Sequence, residues 1–96
     1  MKWKLFANFA EVAGEREIEI RRGGSITMED ALEDLFNQIP RLRELVMNEQ
    51  GGVLNHVQVL CNGEEIRGEN FSQMVLENDD ELAIIPPMSG GLWSIN

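Results

Sequence analysis

Between Thr27 and Ile39 the chain offers one clearly amphipathic helix, and that helix dictates what the rest must become. Met28, Ala31, Leu32, Leu35, Phe36 and Ile39 recur at spacings of three and four, while Glu29, Asp30, Glu33, Asp34 and Gln38 take the opposite face. Thr27 is placed to cap it, with Asp30 in the reciprocal capping-box position. Acids gather in the first turns, where the helix dipole favours them. Pro40 stops this helix and suits the first position of a short second one, whose buried side would be Leu42, Leu45 and Val46. The apolar stripe of the main helix needs a partner layer, and the flanking segments read as strands.

Lys2 to Asn8 alternates, with Trp3, Leu5 and Ala7 on one side and Lys4, Phe6 and Asn8 on the other. Phe9 to Ala13 fits a single helical turn closed by Gly14. Glu17 to Arg21 alternates as a strand with one wet face and ends at Gly23-Gly24. After a break at Gln50-Gly51-Gly52, His56 to Asn62 reads as a strand. Val57, Val59 and Cys61 point one way there, and Gln58 and Leu60 the other. Asn62-Gly63 is a two-residue hairpin signal that leads into a short return strand over Glu64 to Arg67. Asn78-Asp79-Asp80 turns the chain into a last strand, Glu81 to Ile85. The first and last strands carry apolar residues on both sides and belong in the middle of the sheet. The expectation is an α+β layer: a mixed sheet of four to five strands packed on one main helix. It forms one domain over residues 1–87, followed by a tail over 88–96.

Charge and composition narrow the function. Eight basic against seventeen acidic side chains leave a net charge of −9, which repels phosphate backbones and anionic lipid surfaces. Neither a nucleic-acid nor a membrane partner is expected. One cysteine, Cys61, excludes an internal disulfide framework and fits a reducing compartment, and a single histidine, His56, cannot complete a zinc cluster with it. The start is too polar for a signal peptide and no apolar run reaches a membrane span. A cytoplasmic domain without a bound metal or cofactor is the expectation. Catalysis finds no support either. His56 is the only candidate base, and the paired carboxylates fall on a solvated helix face and in turns. Cys61 reads as a packed strand thiol.

Residues 82–96 carry no charged side chain, which sets them apart in so acidic a chain. Within them lies Pro86-Pro87-Met88-Ser89-Gly90-Gly91. The prolines end the strand and hold an extended course. Small residues then form a thin strip that could thread a narrow channel in a partner, because glycine allows close backbone approach.

These residues carry a resemblance. Leu5-Phe6-Ala7 with Glu11-Val12-Ala13-Gly14, then Asn62-Gly63, then Glu81-Leu82-Ala83-Ile84-Ile85-Pro86-Pro87-Met88-Ser89-Gly90-Gly91 resembles the MoaD/ThiS group of ubiquitin-like proteins, and most nearly the small archaeal modifier proteins. The resemblance covers residues 1–91 and implies a ubiquitin-like β-grasp fold. It also implies a carrier and modifier rather than an enzyme. Gly91 would be adenylated by a ubiquitin-activating-type enzyme that uses ATP. It would then be converted to a thiocarboxylate that donates sulfur, or joined to lysines of target proteins by an isopeptide bond. Molybdopterin synthesis is the implied outlet for the sulfur, with the large synthase subunit as partner and tRNA thiolation as the rival. A processing or deconjugating metalloprotease is a further implied partner.

Carried onto this chain, Pro87, Met88, Ser89 and Gly90 would lie in the partner's channel, and Leu60, Ala83 and Ile85 would form an exposed docking patch. One departure stands out: Leu92-Trp93-Ser94-Ile95-Asn96 follows Gly91, so Gly91 has no free carboxylate. The resemblance then implies a precursor cut between Gly91 and Leu92. The competing reading is a β-grasp protein-binding module that is never activated.

Overall fold

The computed structural model describes residues 1–21 and 23–87. Strands β1 (Lys2–Leu5), β2 (Glu17–Glu19), β4 (Gln58–Cys61), β5 (Glu64–Glu65) and β7 (Glu81–Ile85) form one mixed sheet in the order β2-β1-β7-β4-β5. The β1–β7 pair is parallel and the other neighbours are antiparallel. Helices α1 (Ala7–Ala13), α2 (Met28–Gln38) and α3 (Pro40–Val46) accompany it, and β3 (Ile26–Thr27) pairs with β6 (Val75–Leu76) as a small separate ribbon. The first and last strands are central, as expected. No helix among the described residues is long and apolar enough to cross a membrane.

Local chemistry accounts for the boundaries. Thr27 Oγ1 accepts from the Asp30 amide and Asp30 Oδ2 accepts from the Thr27 amide, each at 3.2 Å, which closes the capping box that starts α2. Pro40 occupies the first turn of α3, where its missing N–H leaves nothing unpaired. Gly14 ends α1 at φ 78° and donates to Ala10 O, a left-handed conformation that favours glycine. Met28, Ala31, Leu32, Leu35 and Phe36 are buried against the sheet with Trp3, Leu5, Val57, Val59, Leu82 and Ile84. At the centre Trp3, fully buried, donates its indole N–H to Ala31 O at 3.0 Å and so ties β1 to the middle of α2.

Four local expectations change. The first strand stops at Leu5 instead of running on to Asn8: Ala7 turns the chain at φ 49° and Phe9 swings into the core at 1% exposure. Burying that ring outweighs the roughly 1 kcal/mol cost of a left-handed alanine. Asp34 is buried at 8% exposure instead of lying on a solvated face. Its Oδ2 accepts from the Arg21 amide at 3.2 Å and from Gln38 Nε2 at 2.8 Å, and Gln38 also donates to Glu19 O. That network joins α2 to the end of β2. Leu45 stays on the exposed side of α3, where only Leu42 and Val46 are buried. Finally, the return strand after Gly63 is two residues long, because beyond Glu65 its pairing with β4 is reduced to the Ile66 amide bonding Val59 O.

Because Trp3 combines core volume with a satisfied buried donor, Trp3→Phe should lose about 2–4 kcal/mol of folding free energy. Urea denaturation would measure it, and a loss below about 1 kcal/mol would show that the indole neither fills nor ties the core.

Candidate functional site

β7 divides its side chains between two environments. Leu82 and Ile84 are fully buried beneath the helices, while Ala83 and Ile85 turn to the open face of the sheet. The register sets Leu60 opposite Ala83 and Gln58 opposite Ile85. Leu60, Ala83 and Ile85 are thus brought together on one open face. They are less exposed than a free patch would be: Leu60 and Ile85 are half-buried and Ala83 is only 8% exposed. Ala83 is a low floor between its neighbours.

Sequence reasoning missed Phe6. Leu5 pairs with Ile84 in the parallel ladder, and Phe6 keeps an extended backbone. One step further along both strands brings Phe6 beside Ile85, with 43% of it exposed. The signal was present in the alternation that set Phe6 opposite Trp3 and Leu5.

At the other end the open face is charged. Lys2 Nζ meets Glu17 Oε1 and Lys4 Nζ meets Glu81 Oε2, each at 2.9 Å. The hydrogen bond and charge of Glu17 raise the Lys2 pKa, and Lys2 lowers that of Glu17. These are the only lysines in the chain, and both are held by carboxylates. The face therefore grades from an ion-paired half near the start of β1 to an apolar half where β7 ends.

A polar brace sets the position of β7. Asn62 and Gly63 take φ values of 54° and 86°, as a two-residue hairpin requires. The Asn62 side chain then spans to the start of β7: its Oδ1 accepts from the Glu81 amide and its Nδ2 donates to Asp80 Oδ1, both at 2.9 Å. Asp80 Oδ2 accepts from the Glu77 amide at 2.8 Å. Those bonds, the Glu77 amide first and Asn62 second, pull the Asp80 pKa below its ordinary value.

Cys61 and His56 stand near opposite ends of β4 and form no catalytic pair. Cys61 is buried in the core, and burial, then Asp80 and Glu64, push its pKa up, so it resists ionisation. His56 lies exposed in the turn before the strand. Beyond Ile85 the chain leaves past a buried Pro86 and an exposed Pro87. Met88, Ser89, Gly90, Gly91 and Leu92 lie outside the described residues.

A parallel pairing of first and last strands, a helix laid across the sheet and a hairpin returning at the edge define the β-grasp class of ubiquitin-like folds. The ThiS family matches residues 3–91. Small archaeal modifier protein 1 of Haloferax volcanii is 42% identical over 92 residues, which covers 95% of this chain and all of that protein. The molybdopterin synthase sulfur carrier subunit of Arabidopsis thaliana is 30% identical, covering 95% of this chain and 82% of that one. The crystal structure of the H. volcanii modifier superposes with a TM-score of 0.83 at 41% identity, covering 95% of this chain and 98% of that one. The chain belongs to the ThiS family. The matched span closes at Gly91 and leaves residues 92–96 outside it.

The Asp80 brace makes a pH prediction. Its folded pKa lies below the ordinary 3.8, so its contribution is complete above that pH and is lost as pH falls through the lower folded value. The melting temperature of the wild-type protein should fall more steeply below pH ~4 than that of Asp80→Asn. Parallel acid limbs would show that the brace does not hold β7.

Proposed function

We propose that this chain is a ubiquitin-like sulfur carrier and protein modifier that acts through the carboxylate of Gly91 once residues 92–96 are removed. The observation that carries the reading is the family match ending at Gly91 while the sequence continues with Leu92-Trp93-Ser94-Ile95-Asn96. The names of the H. volcanii and A. thaliana relatives support the modifier and carrier roles respectively.

The chemistry needs no catalytic side chain from the carrier. A free carboxylate is a poor electrophile. In an ATP-dependent activating enzyme its oxygen attacks the α-phosphorus, the bond to pyrophosphate breaks, and the acyl adenylate carries AMP as a leaving group. A hydrosulfide equivalent that displaces AMP leaves a thiocarboxylate for sulfur transfer. A neutral lysine amine of a target protein that displaces AMP leaves an isopeptide bond and releases a proton. The A. thaliana relative supports molybdopterin synthesis as the sulfur outlet, with the large synthase subunit as partner. Pro87, Met88, Ser89 and Gly90 would occupy the partner's channel, since two glycines let the backbone approach closely. The Phe6, Leu60, Ala83 and Ile85 face would dock beside it. A metalloprotease is the proposed agent for cutting Gly91 from Leu92 or for reversing conjugation.

Residues 92–96 obstruct this chemistry in two ways. Five residues move the chain end by up to roughly 17 Å beyond Gly91, whereas reacting atoms must come within about 3–3.5 Å. Trp93 is also too wide for a channel shaped around glycine. ATP–pyrophosphate exchange with the activating enzyme should therefore occur with a chain ending at Gly91 and fail with the chain ending at Asn96. Equal exchange by both would refute the precursor reading, and exchange by neither would favour a binding module that is never activated.

The docking face makes a separate prediction. Ile85→Asp sets a charge in the middle of the apolar half and should weaken the complex with the activating enzyme by about 2–4 kcal/mol, with thermal unfolding nearly unchanged because Ile85 is half-exposed. Titration calorimetry with a chain ending at Gly91 measures the first and a melting curve the second. Unchanged affinity would move docking elsewhere.

A further inference from the structure

Asn62-Gly63 is the only place in the chain where an asparagine is followed by glycine, and that pair carries a chemistry the hairpin does not use. Once the glycine amide nitrogen loses its proton it can attack the asparagine Cγ. An N–Cγ bond forms, the Cγ–Nδ2 bond breaks, and Nδ2 leaves as ammonia. Water then opens the cyclic imide at either carbonyl and leaves aspartate or isoaspartate. Glycine favours the attack because it has no side chain to screen its own nitrogen. Gly63 is open in this sense: among the described residues, no atom beyond its chain neighbours lies within 4 Å of where a side chain on it would start. Both turn residues are exposed.

The fold holds the other reactant. The β4–β7 ladder ends with Cys61 opposite Leu82, and Asn62 carries it one step further with both its main chain and its side chain. Its amide donates to Glu81 O at 2.8 Å, while its Oδ1 accepts from the Glu81 amide at 2.9 Å. Its Nδ2, the atom that must leave, donates to Asp80 Oδ1 at 2.9 Å. Asp80 is fixed in turn, because its Oδ2 accepts from the Glu77 amide at 2.8 Å. The side-chain amide of Asn62 is therefore pinned at both ends to the segment that starts β7. Ring closure turns Cγ toward Gly63 and expels Nδ2, which requires these side-chain bonds to let go.

We propose that Asn62 is a deamidation site gated by its own clamp on β7, and that the reaction runs one way. Closed, the clamp keeps the amide. Each local opening of residues 77–81 releases it toward Gly63, so the rate is the intrinsic rate multiplied by the open fraction. The products cannot rebuild what was lost. Aspartate places an anionic oxygen where Nδ2 stood, against Asp80 Oδ1, and like charges that close repel. Isoaspartate adds a carbon to the main chain inside a two-residue turn, whose length sets the pairing of Cys61 with Glu64. Either way the start of β7, the strand that carries Ala83 and Ile85, loses its tie to the hairpin through Asp80. Nothing in this reaction depends on activation at Gly91.

Peptide mapping by mass spectrometry during incubation at one neutral pH tests the proposal, reading the exchange of amide for acid at residue 62. Three samples are compared: the folded chain, the same chain unfolded in urea, and Asp80→Ala, which removes both carboxylate contacts. The folded wild type should deamidate roughly ten-fold or more slowly than the chain in urea, and Asp80→Ala should run several-fold faster than the wild type. Equal rates in the folded and unfolded wild type overturn the proposal. So does a folded Asp80→Ala that keeps the wild-type rate, because the protection then belongs to the hairpin alone. If Asp80→Ala does not fold, hydrogen exchange in the wild type decides. Across urea concentrations below the unfolding transition, exchange of the Glu81 amide and deamidation of Asn62 should rise together, and deamidation that stays flat while this amide opens overturns it. Asn62→Asp, which reproduces one product, should melt below the wild type at neutral pH, and an unchanged melting temperature overturns the one-way consequence.

Discussion

The parallel pairing of β1 with β7 is the constraint on which the rest of the structure depends. A parallel pair cannot be closed by a turn, so the chain between Leu5 and Glu81 must cross over one face of the sheet while it also supplies the outer strands β2, β4 and β5. Helix α2 does the covering, and the Trp3 indole bonded to Ala31 O holds it against the central strand. The same pairing makes both central strands point one way. Phe6, at the end of β1, and Ile85, at the end of β7, therefore meet where the chain departs. The proposed docking surface sits next to the outgoing chain because of the direction of two strands, with no dedicated structure needed to bring them together.

Much of this was legible because the signals were local. The α2 stripe, the Thr27–Asp30 capping box, the Asn62-Gly63 turn and the inward and outward faces of β4 and β7 each depend on residues a few positions apart. What escaped depends on distant partners. Asp34 reads as one more acid on a polar helix face until the Arg21 amide, thirteen residues away, comes down on it. The β3–β6 ribbon joins Ile26 to Leu76 across fifty residues, and neither two-residue segment has a period of its own. The first strand was read too long because Ala7 continues the alternation of Trp3 and Leu5, while the burial of Phe9 ends it. The Leu60, Ala83 and Ile85 face followed from period two, but how deeply Ala83 sinks between its neighbours did not.

The distribution of charge has its own logic. Net charge of −9 keeps the molecule apart from its copies, and on the open face the acids serve a second purpose. Glu17 and Glu81 hold Lys2 and Lys4 in cross-strand pairs. Both amines are thereby oriented across the sheet, and the hydrogen bond and charge of Glu17 raise the Lys2 pKa, which favours the protonated state in which a lysine is a poor nucleophile. Under the proposed conjugation chemistry, a chain with only two lysines, both ion-paired, would offer few acceptor amines of its own. The exposed pairs add little stability, so their use lies in shaping the surface.

The end of β7 sets the departing chain beside the apolar half of the sheet face, where Phe6, Leu60 and Ile85 lie. Pro86 and Pro87 restrict how the chain leaves the strand, because each fixes its own φ and biases the residue before it toward extended backbone. The direction in which the chain departs is thus set at Pro86, which is buried, and at Pro87. Under the proposed activation, the carboxyl of Gly91 is held in a peptide bond to Leu92, so a single cleavage after Gly91 would supply the carboxylate that the chemistry needs.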